Sequence, residues 1–142
     1  MNSSLVCVDA SIIVDLLTDL DSNDQLLALW EGWRDSEAQL VAPQLLRYEA
    51  TNALYRMVKK GALSHASASD AISVMIGLPI QLYNDAALHN RAYQIAQELA
   101  LGATYDAHYL ALADQLRCEL WTRDGRLARA AQERYDLIRL LE

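Results

Sequence analysis

Apolar residues in this chain fall into short unbroken runs alternating with longer stretches that repeat every three to four positions, the pattern of strands separated by helices. Leu5 to Val8 reads as a first strand, and Asp9-Ala10-Ser11 turns it into a helix ending near Leu20. After a polar segment, a second helix carries Leu26, Leu29, Trp30 and Trp33, with Ser22 as its expected cap. Leu40-Val41-Ala42 is a second strand. Pro43 suits the first turn of a long helix that runs to about Lys60 and stops at Gly61, its negative end complemented by Lys59 and Lys60.

Ser64 begins a helix through about Ile76, closed by Gly77 and Pro79, and Ile80 to Tyr83 forms a third strand. Asn84 or Asp85 caps the next helix, which carries Leu88, Ala92, Ile95 and Leu99 and ends at Gly102. Thr104 caps a helix from Tyr105 to about Leu116, and Glu119 to Thr122 is extended before a turn at Asp124-Gly125. A last helix over Leu127 to Glu133 and a strand over Leu137 to Leu141 complete the pattern. Strands separated by one or two helices predict an α/β fold, a parallel sheet covered by helices on both faces. With no internal repeat or linker, residues 1–142 read as a single domain.

Composition narrows the function. Of 142 residues, 53% are apolar and 22% charged, with a net charge of -7, which excludes a disordered chain, a collagen-like fibre and a disulfide-stapled scaffold. Met1 to Ser4 lacks a basic region, and the apolar run from Leu5 is broken by Asp9 and Asp15, so neither a signal peptide nor a membrane span is expected. Cys7 and Cys118 lie in apolar surroundings without C-x-x-C spacing and read as buried free thiols of a cytoplasmic protein. The acidic balance argues against coating nucleic acid or membrane by bulk charge, so any nucleic-acid chemistry must be local.

Four acids sit where surface acids do not belong. Asp9 ends the first strand, at the edge where open α/β sheets bind ligands. Glu49 shares an apolar helix stripe with Leu46, Ala53 and Met57, with Asn52 beside it. Asp106 occupies a helix's first turn, facing with Tyr109, Leu110 and Ala113, and Asp124 follows the strand Leu120-Trp121-Thr122. Bland alternatives exist for each: helix caps at Asp9 and Asp106, an ion pair of Glu49 with Arg47 or Arg56, and an ordinary Asp-Gly turn at Asp124. Gathered together, four carboxylates would repel one another, and a divalent metal removes that difficulty. Oxygen donors without histidine suit Mg²⁺ or Mn²⁺, and hydrolysis of a phosphodiester is the chemistry such ions support.

These residues resemble the PIN-domain nucleases, specifically the toxin subunit of VapBC-type toxin-antitoxin systems. The resemblance rests on Val8-Asp9-Ala10-Ser11, Tyr48-Glu49-Ala50-Thr51-Asn52-Ala53-Leu54, the segment from Thr104 to Ala113 around Asp106, and Leu120-Trp121-Thr122-Arg123-Asp124. It implies a catalytic, metal-binding set of Asp9, Glu49, Asp106 and Asp124, with Ser11, Asn52 and Thr122 as polar helpers. It further implies a Mg²⁺-dependent endoribonuclease leaving 3′-OH and 5′-phosphate ends, inhibited by a small antitoxin and forming a homodimer. Asp15 departs from the family, many of whose members carry a lysine there.

Under this reading Asp9, Asp106 and Asp124 bind one or two ions, while Glu49 holds a second ion or orients the attacking water. Cations such as Arg47, Arg56, Arg123 and Arg126 either steer a phosphate backbone or are ordinary surface. Single-stranded or looped RNA, with bases free to stack on Tyr48, Tyr55 or Tyr105, is the expected substrate. Leu16, Leu20, Leu29, Trp30 and Trp33 are either core or a groove for an antitoxin helix. His65, His89 and His108 lack metal-ligand spacing and read as surface or hydrogen-bonded histidines. Two other classes remain open: a non-catalytic RNA- or protein-binding PIN module, and a metal-dependent DNA nuclease.

Overall fold

Five short strands form one sheet in the order β3-β2-β1-β4-β5, every neighbouring pair parallel, in a computed structural model that describes residues 4–142. Met1 to Ser3, part of the segment from which the absence of a signal peptide is expected, lies outside the described residues. The strands are β1 (Leu5–Val8), β2 (Gln39–Pro43), β3 (Ile80–Tyr83), β4 (Glu119–Thr122) and β5 (Ile138–Leu140). Parallel pairing requires long crossovers, and seven helices supply them. These are α1 (Ala10–Thr18), α2 (Asp24–Asp35), α3 (Leu45–Lys59), α4 (His65–Gly77), α5 (Ala87–Glu98), α6 (Tyr105–Leu116) and α7 (Gly125–Ala131).

Helices α1, α3 and α4 pack on one another, α5 packs on α6, and α6 lies against β1, β2 and β4. Val6, Cys7 and Val8 of β1 and Leu40, Val41 and Ala42 of β2 are buried without alternation, as strands covered on both faces must be. Ile12, Ile13, Leu46, Tyr109, Leu110 and Leu112 complete the same apolar core from the helices. The chain builds β1, β2 and β3 outward in one direction, then returns across β1 to add β4 and β5. Strand order therefore reverses between β1 and β4, and the crevice beyond their C-terminal ends is where such sheets bind ligands.

All five predicted strands and seven predicted helices form, and the differences are at their ends. Asn23, not Ser22, caps α2, its side chain accepting from the Leu26 N–H at 3.0 Å. Pro43 closes β2 in register with Tyr83 and does not begin α3, because its missing N–H costs nothing at the end of a strand. Neither Asn84 nor Asp85 caps α5, whose cap position falls on Ala86, and Thr104 stands at the head of α6 without a side-chain capping bond. Helix α5 ends before Gly102, at Ala100 in the left-handed region with φ 53°.

That ending is one of four. Glu37, Gly61, Ala100 and Arg117 all have positive φ, and the N–H of each following residue donates to a carbonyl five positions back: Ala38 to Trp33, Ala62 to Met57, Leu101 to Ala96 and Cys118 to Ala113. This is the six-residue bond of the Schellman ending, which satisfies carbonyls left free at a helix terminus. Only Gly61 takes the conformation without a steric cost. Ala100→Gly is accordingly expected to raise stability by about 1 kcal/mol, read as a higher urea midpoint at unchanged slope. Among the described residues, no helix is long and apolar enough to cross a membrane.

Candidate active site

Asp9 and Asp124 stand at the two strand ends flanking the order reversal, and each caps the helix that follows. The Asp9 carboxylate accepts from the backbone N–H groups of Ser11 and Ile12 at 3.0 and 3.3 Å, and Asp124 accepts from those of Arg126 and Leu127 at 2.9 and 3.3 Å. The capping role is therefore real for both acids, and it fixes one oxygen of each.

Two hydroxyls then tie the β1–α1 junction to the β4–α7 junction. Ser11 Oγ donates to Asp9 Oδ1 and accepts from the Arg123 N–H at 2.9 Å. Thr122 Oγ1 donates to Asp9 Oδ2 and accepts from the Asp124 N–H at 2.9 Å. Thr122 is wholly buried and Asp9 nearly so. Thr122→Val would strip a donor from one buried acid and an acceptor from the amide of the other. Its expected cost is roughly 1–3 kcal/mol in urea unfolding, with metal affinity weakened about tenfold to a hundredfold in calorimetric titration.

Glu49 on α3 and Asp106 in the first turn of α6 approach from either side. The Tyr109 hydroxyl, in the core, donates to Glu49 Oε1 at 2.6 Å, which holds that carboxylate against α6. No ion pair joins Glu49 to Arg47 or Arg56 among the described residues, and Arg47 instead donates to the Ile76 carbonyl at 3.4 Å. Burial pushes the Asp9 carboxyl up to about 6 against the lowering effect of its hydrogen bonds, and the charge of Asp106 adds to the rise. Burial likewise raises Glu49, opposed by the Tyr109 hydroxyl and reinforced by Asp106. Asp106 is itself raised by burial and by the charge of Asp124. The charge of Asp106 thus acts on Asp9 and on Glu49, and that of Asp124 acts on Asp106.

Of the predicted helpers, Ser11 and Thr122 bind Asp9 directly, whereas Asn52 makes no hydrogen bond to an acid among the described residues. Asn52 lines an open groove between α1 and α3 with Glu49, Ser11, Asp15 and Arg56. Asp15 forms an ion pair with Arg123 at 2.9 Å, so this acid is balanced by a cation from the β4–α7 turn. Trp33 is buried, packed edge-on to Trp121 with ring centroids 6.3 Å apart, while Leu16, Leu20, Leu29 and Trp30 lie partly buried on the core. Cys7 and Cys118 are free and buried.

Sequence reasoning missed three pairings: Tyr109 with Glu49, Asp15 with Arg123, and His89 with His108. The last joins Nδ1 of His89 to Nε2 of His108 at 3.0 Å, across 19 positions and two helices. An aspartate and an arginine flanking the two strand ends were the one available signal for the second pairing; long-range contacts of this kind have no periodic signature.

A metal would have to be held by Asp9, Glu49, Asp106 and Asp124. Their chemistry fits a hard divalent cation: all-oxygen donors, partly desolvated, three of them raised by a neighbouring acid. Among the described residues, no group of three or more His, Cys, Asp or Glu side chains is placed to hold a metal ion.

Fold and site together define an α/β protein with an acidic centre at the topological switch point of a parallel sheet. The PIN domain matches residues 7–135, and the chain belongs to the PIN-domain family. It is homologous to VapC-type ribonucleases of toxin-antitoxin systems. Ribonuclease VapC9 of Mycobacterium tuberculosis is 30% identical over 128 residues, which cover 90% of this chain and 92% of that protein. Ribonuclease VapC3 of the same species is 34% identical over 125 residues, covering 88% and 86%. Among solved structures, PAE2754 from Pyrobaculum aerophilum aligns over 89% of this chain and 79% of its own, with a TM-score of 0.68 and 26% identity. VapBC2 from Rickettsia felis, bound to a promoter DNA fragment, shares the fold with a TM-score of 0.70 over 97% of this chain and 99% of its own, at 11% identity.

Proposed function

We propose that the chain, acting as one domain over residues 1–142, is a Mg²⁺-dependent endoribonuclease that also accepts Mn²⁺, and that it is the toxin of a type II toxin-antitoxin pair. Asp9 carries the reading. A carboxylate this buried, held by two hydroxyls and two backbone amides and facing another acid, is costly unless a cation offsets it. When bound, a divalent ion supplies charge stabilisation at phosphoryl oxygens and activates water.

The chain's own groups perform the rest. Asp9, Asp106 and Asp124 would hold the ion, and Ser11 and Thr122 keep Asp9 oriented. The bond from Tyr109 occupies Oε1 of Glu49 and leaves Oε2 to orient the attacking water. Arg56 in the groove beside Glu49 offers a cation to the phosphate backbone, whereas Arg123 is largely spent on Asp15. A small antitoxin would silence the chain by covering this crevice, and the same reading takes the chain to be a cytoplasmic homodimer.

The test compares RNA and DNA oligonucleotides of one sequence, with Mg²⁺ and with chelator, and analyses the ends produced. Cleavage of RNA alone, metal-dependent and leaving 3′-OH and 5′-phosphate, is the expected outcome. Cutting of both polymers would favour the DNA nuclease, and metal-independent binding without cutting would favour the non-catalytic module.

A further inference from the structure

A second concavity, separate from the groove at Arg56, opens where β2 and β3 end. It has a volume of about 290 Å³, and its lining includes the rings of Tyr48, Tyr83, Tyr105, His89 and His108 beside aliphatic side chains and the polar groups of Gln44, Asn84 and Asp85. Two of its lining residues are next in sequence to acids of the centre: Tyr48 precedes Glu49 on α3, and Tyr105 precedes Asp106 at the head of α6. Those two tyrosines are 71% and 60% exposed, so they are not serving the core. The space is at the small end for a ligand pocket and suits one flat ring system, not a folded peptide segment.

The histidine pair has a fixed sense. A carbonyl can only accept, so the 2.7 Å contact of His108 Nδ1 with the Thr104 carbonyl places a hydrogen on that nitrogen. In the neutral ring, His108 Nε2 is then an acceptor and takes the His89 Nδ1 hydrogen. His89 Nε2 is left as an acceptor on a ring that lines the cleft, as does Asp85, whose carboxylate accepts from Gln115 Nε2 at 3.3 Å. Aromatic faces joined to exposed hydrogen-bond acceptors match the face and the N–H edge of a nucleobase.

We propose that this cleft is a nucleobase subsite, which takes one unstacked base of a single-stranded RNA whose adjoining phosphate lies at the carboxylates, with Tyr48 and Tyr105 as its stacking surfaces. The inference rests on the ribonuclease reading and adds to it the residues that grip the substrate beside the scissile bond. Tyr55, two turns along α3 on the same face as Tyr48, does not line this cleft; it lines a neighbouring concavity that Tyr48 also borders.

The test is binding of a fluorescein-labelled random RNA octamer in Ca²⁺, followed by anisotropy, for wild type, Tyr48→Leu, Tyr105→Leu and Tyr93→Leu. Tyr93 is equally exposed, at 65%, but lies outside the cleft, and thermal melts verify that all four proteins fold. Tyr48→Leu and Tyr105→Leu should each weaken binding roughly fivefold to a hundredfold, the scale of one lost base stack, with Tyr93→Leu unchanged. Wild type that does not bind, cleft variants within twofold of it, or an equal loss at Tyr93 would overturn the subsite. So would a change in self-association at Tyr48→Leu with RNA binding intact, since that makes the face an interface between copies. Cleavage in Mg²⁺, measured separately, distinguishes the two claims: cutting with normal binding by the variants removes only the subsite, and cleft-dependent binding without cutting removes only the ribonuclease.

Discussion

Asp9→Asn is expected to abolish RNA cleavage while making the metal-free protein more stable at neutral pH. The Asp9 carboxyl is pushed up from 3.8 to about 6 on folding. A raised acid favours the folded state only while it is protonated, so its contribution is complete below about pH 4 and is lost as pH rises through about 6. A rise of that size corresponds to a cost of roughly 3 kcal/mol at pH 7. Asparagine cannot ionise, and its oxygen can still accept from Ser11 and Ile12. Urea unfolding of the two proteins from pH 4 to pH 8 without metal should therefore give curves that diverge, the variant being the more stable above pH 6 by about 2–3 kcal/mol. Saturating Mg²⁺ should restore wild type by mass action and leave the variant unmoved. Cleavage by the variant should fall on the order of a thousandfold or more, the scale of losing one group that acts on developing charge. A variant less stable than wild type at pH 7 without metal would show that Asp9 is chiefly a helix cap.

The second large effect is expected at Asp106, for a different reason. Asp106 raises both Asp9 and Glu49 and is raised by Asp124, so it is the acid through which the cluster is coupled. Asp106→Asn should remove a ligand and at the same time let Asp9 ionise at lower pH. Side-chain carboxyl resonances followed by NMR across pH would show the Asp9 midpoint moving down from about 6, and cleavage should again drop by about a thousandfold. Asp124→Asn makes the contrast: its Oδ1 caps α7, a role asparagine fills, so stability should hardly change. An Asp9 midpoint that stays in place in Asp106→Asn would mean that burial alone sets it.

The site was easier to read than the boundaries around it. Asp9, Glu49 and Asp106 stood out because each fell within an apolar pattern, where a carboxylate is informative whatever the fold, whereas Asp124 was marked only by its place after a strand. Strand and helix order followed from alternating periods for the same reason. What sequence could not supply depends on contacts distant along the chain. Tyr109 looked like one more core residue of α6, and only its position opposite α3 turns its hydroxyl into the holder of Glu49. Asn52 shares the helix face of Glu49, but sharing a face does not give it a bond to the acids. Helix endings failed by a local route. Gly61 announced its left-handed turn, while Glu37, Ala100 and Arg117 make the same turn with residues that give no such signal, because the tertiary fold outweighs a strain of about 1 kcal/mol each. Asn23 displaced Ser22 as a cap by a single position, a difference that propensity alone does not resolve at a helix end.

The central claim is that four carboxylates at the sheet's switch point use a divalent ion to hydrolyse RNA. Its most direct test is cleavage of a mixed pool of structured cellular RNAs by the chain alone, in Mg²⁺, Mn²⁺ or chelator, beside Asp9→Asn purified in the same way. New ends that require metal and are absent with the variant, which remains folded, are the predicted result. Equal cutting by the two proteins, or none by either across the pool and both metals, would contradict it.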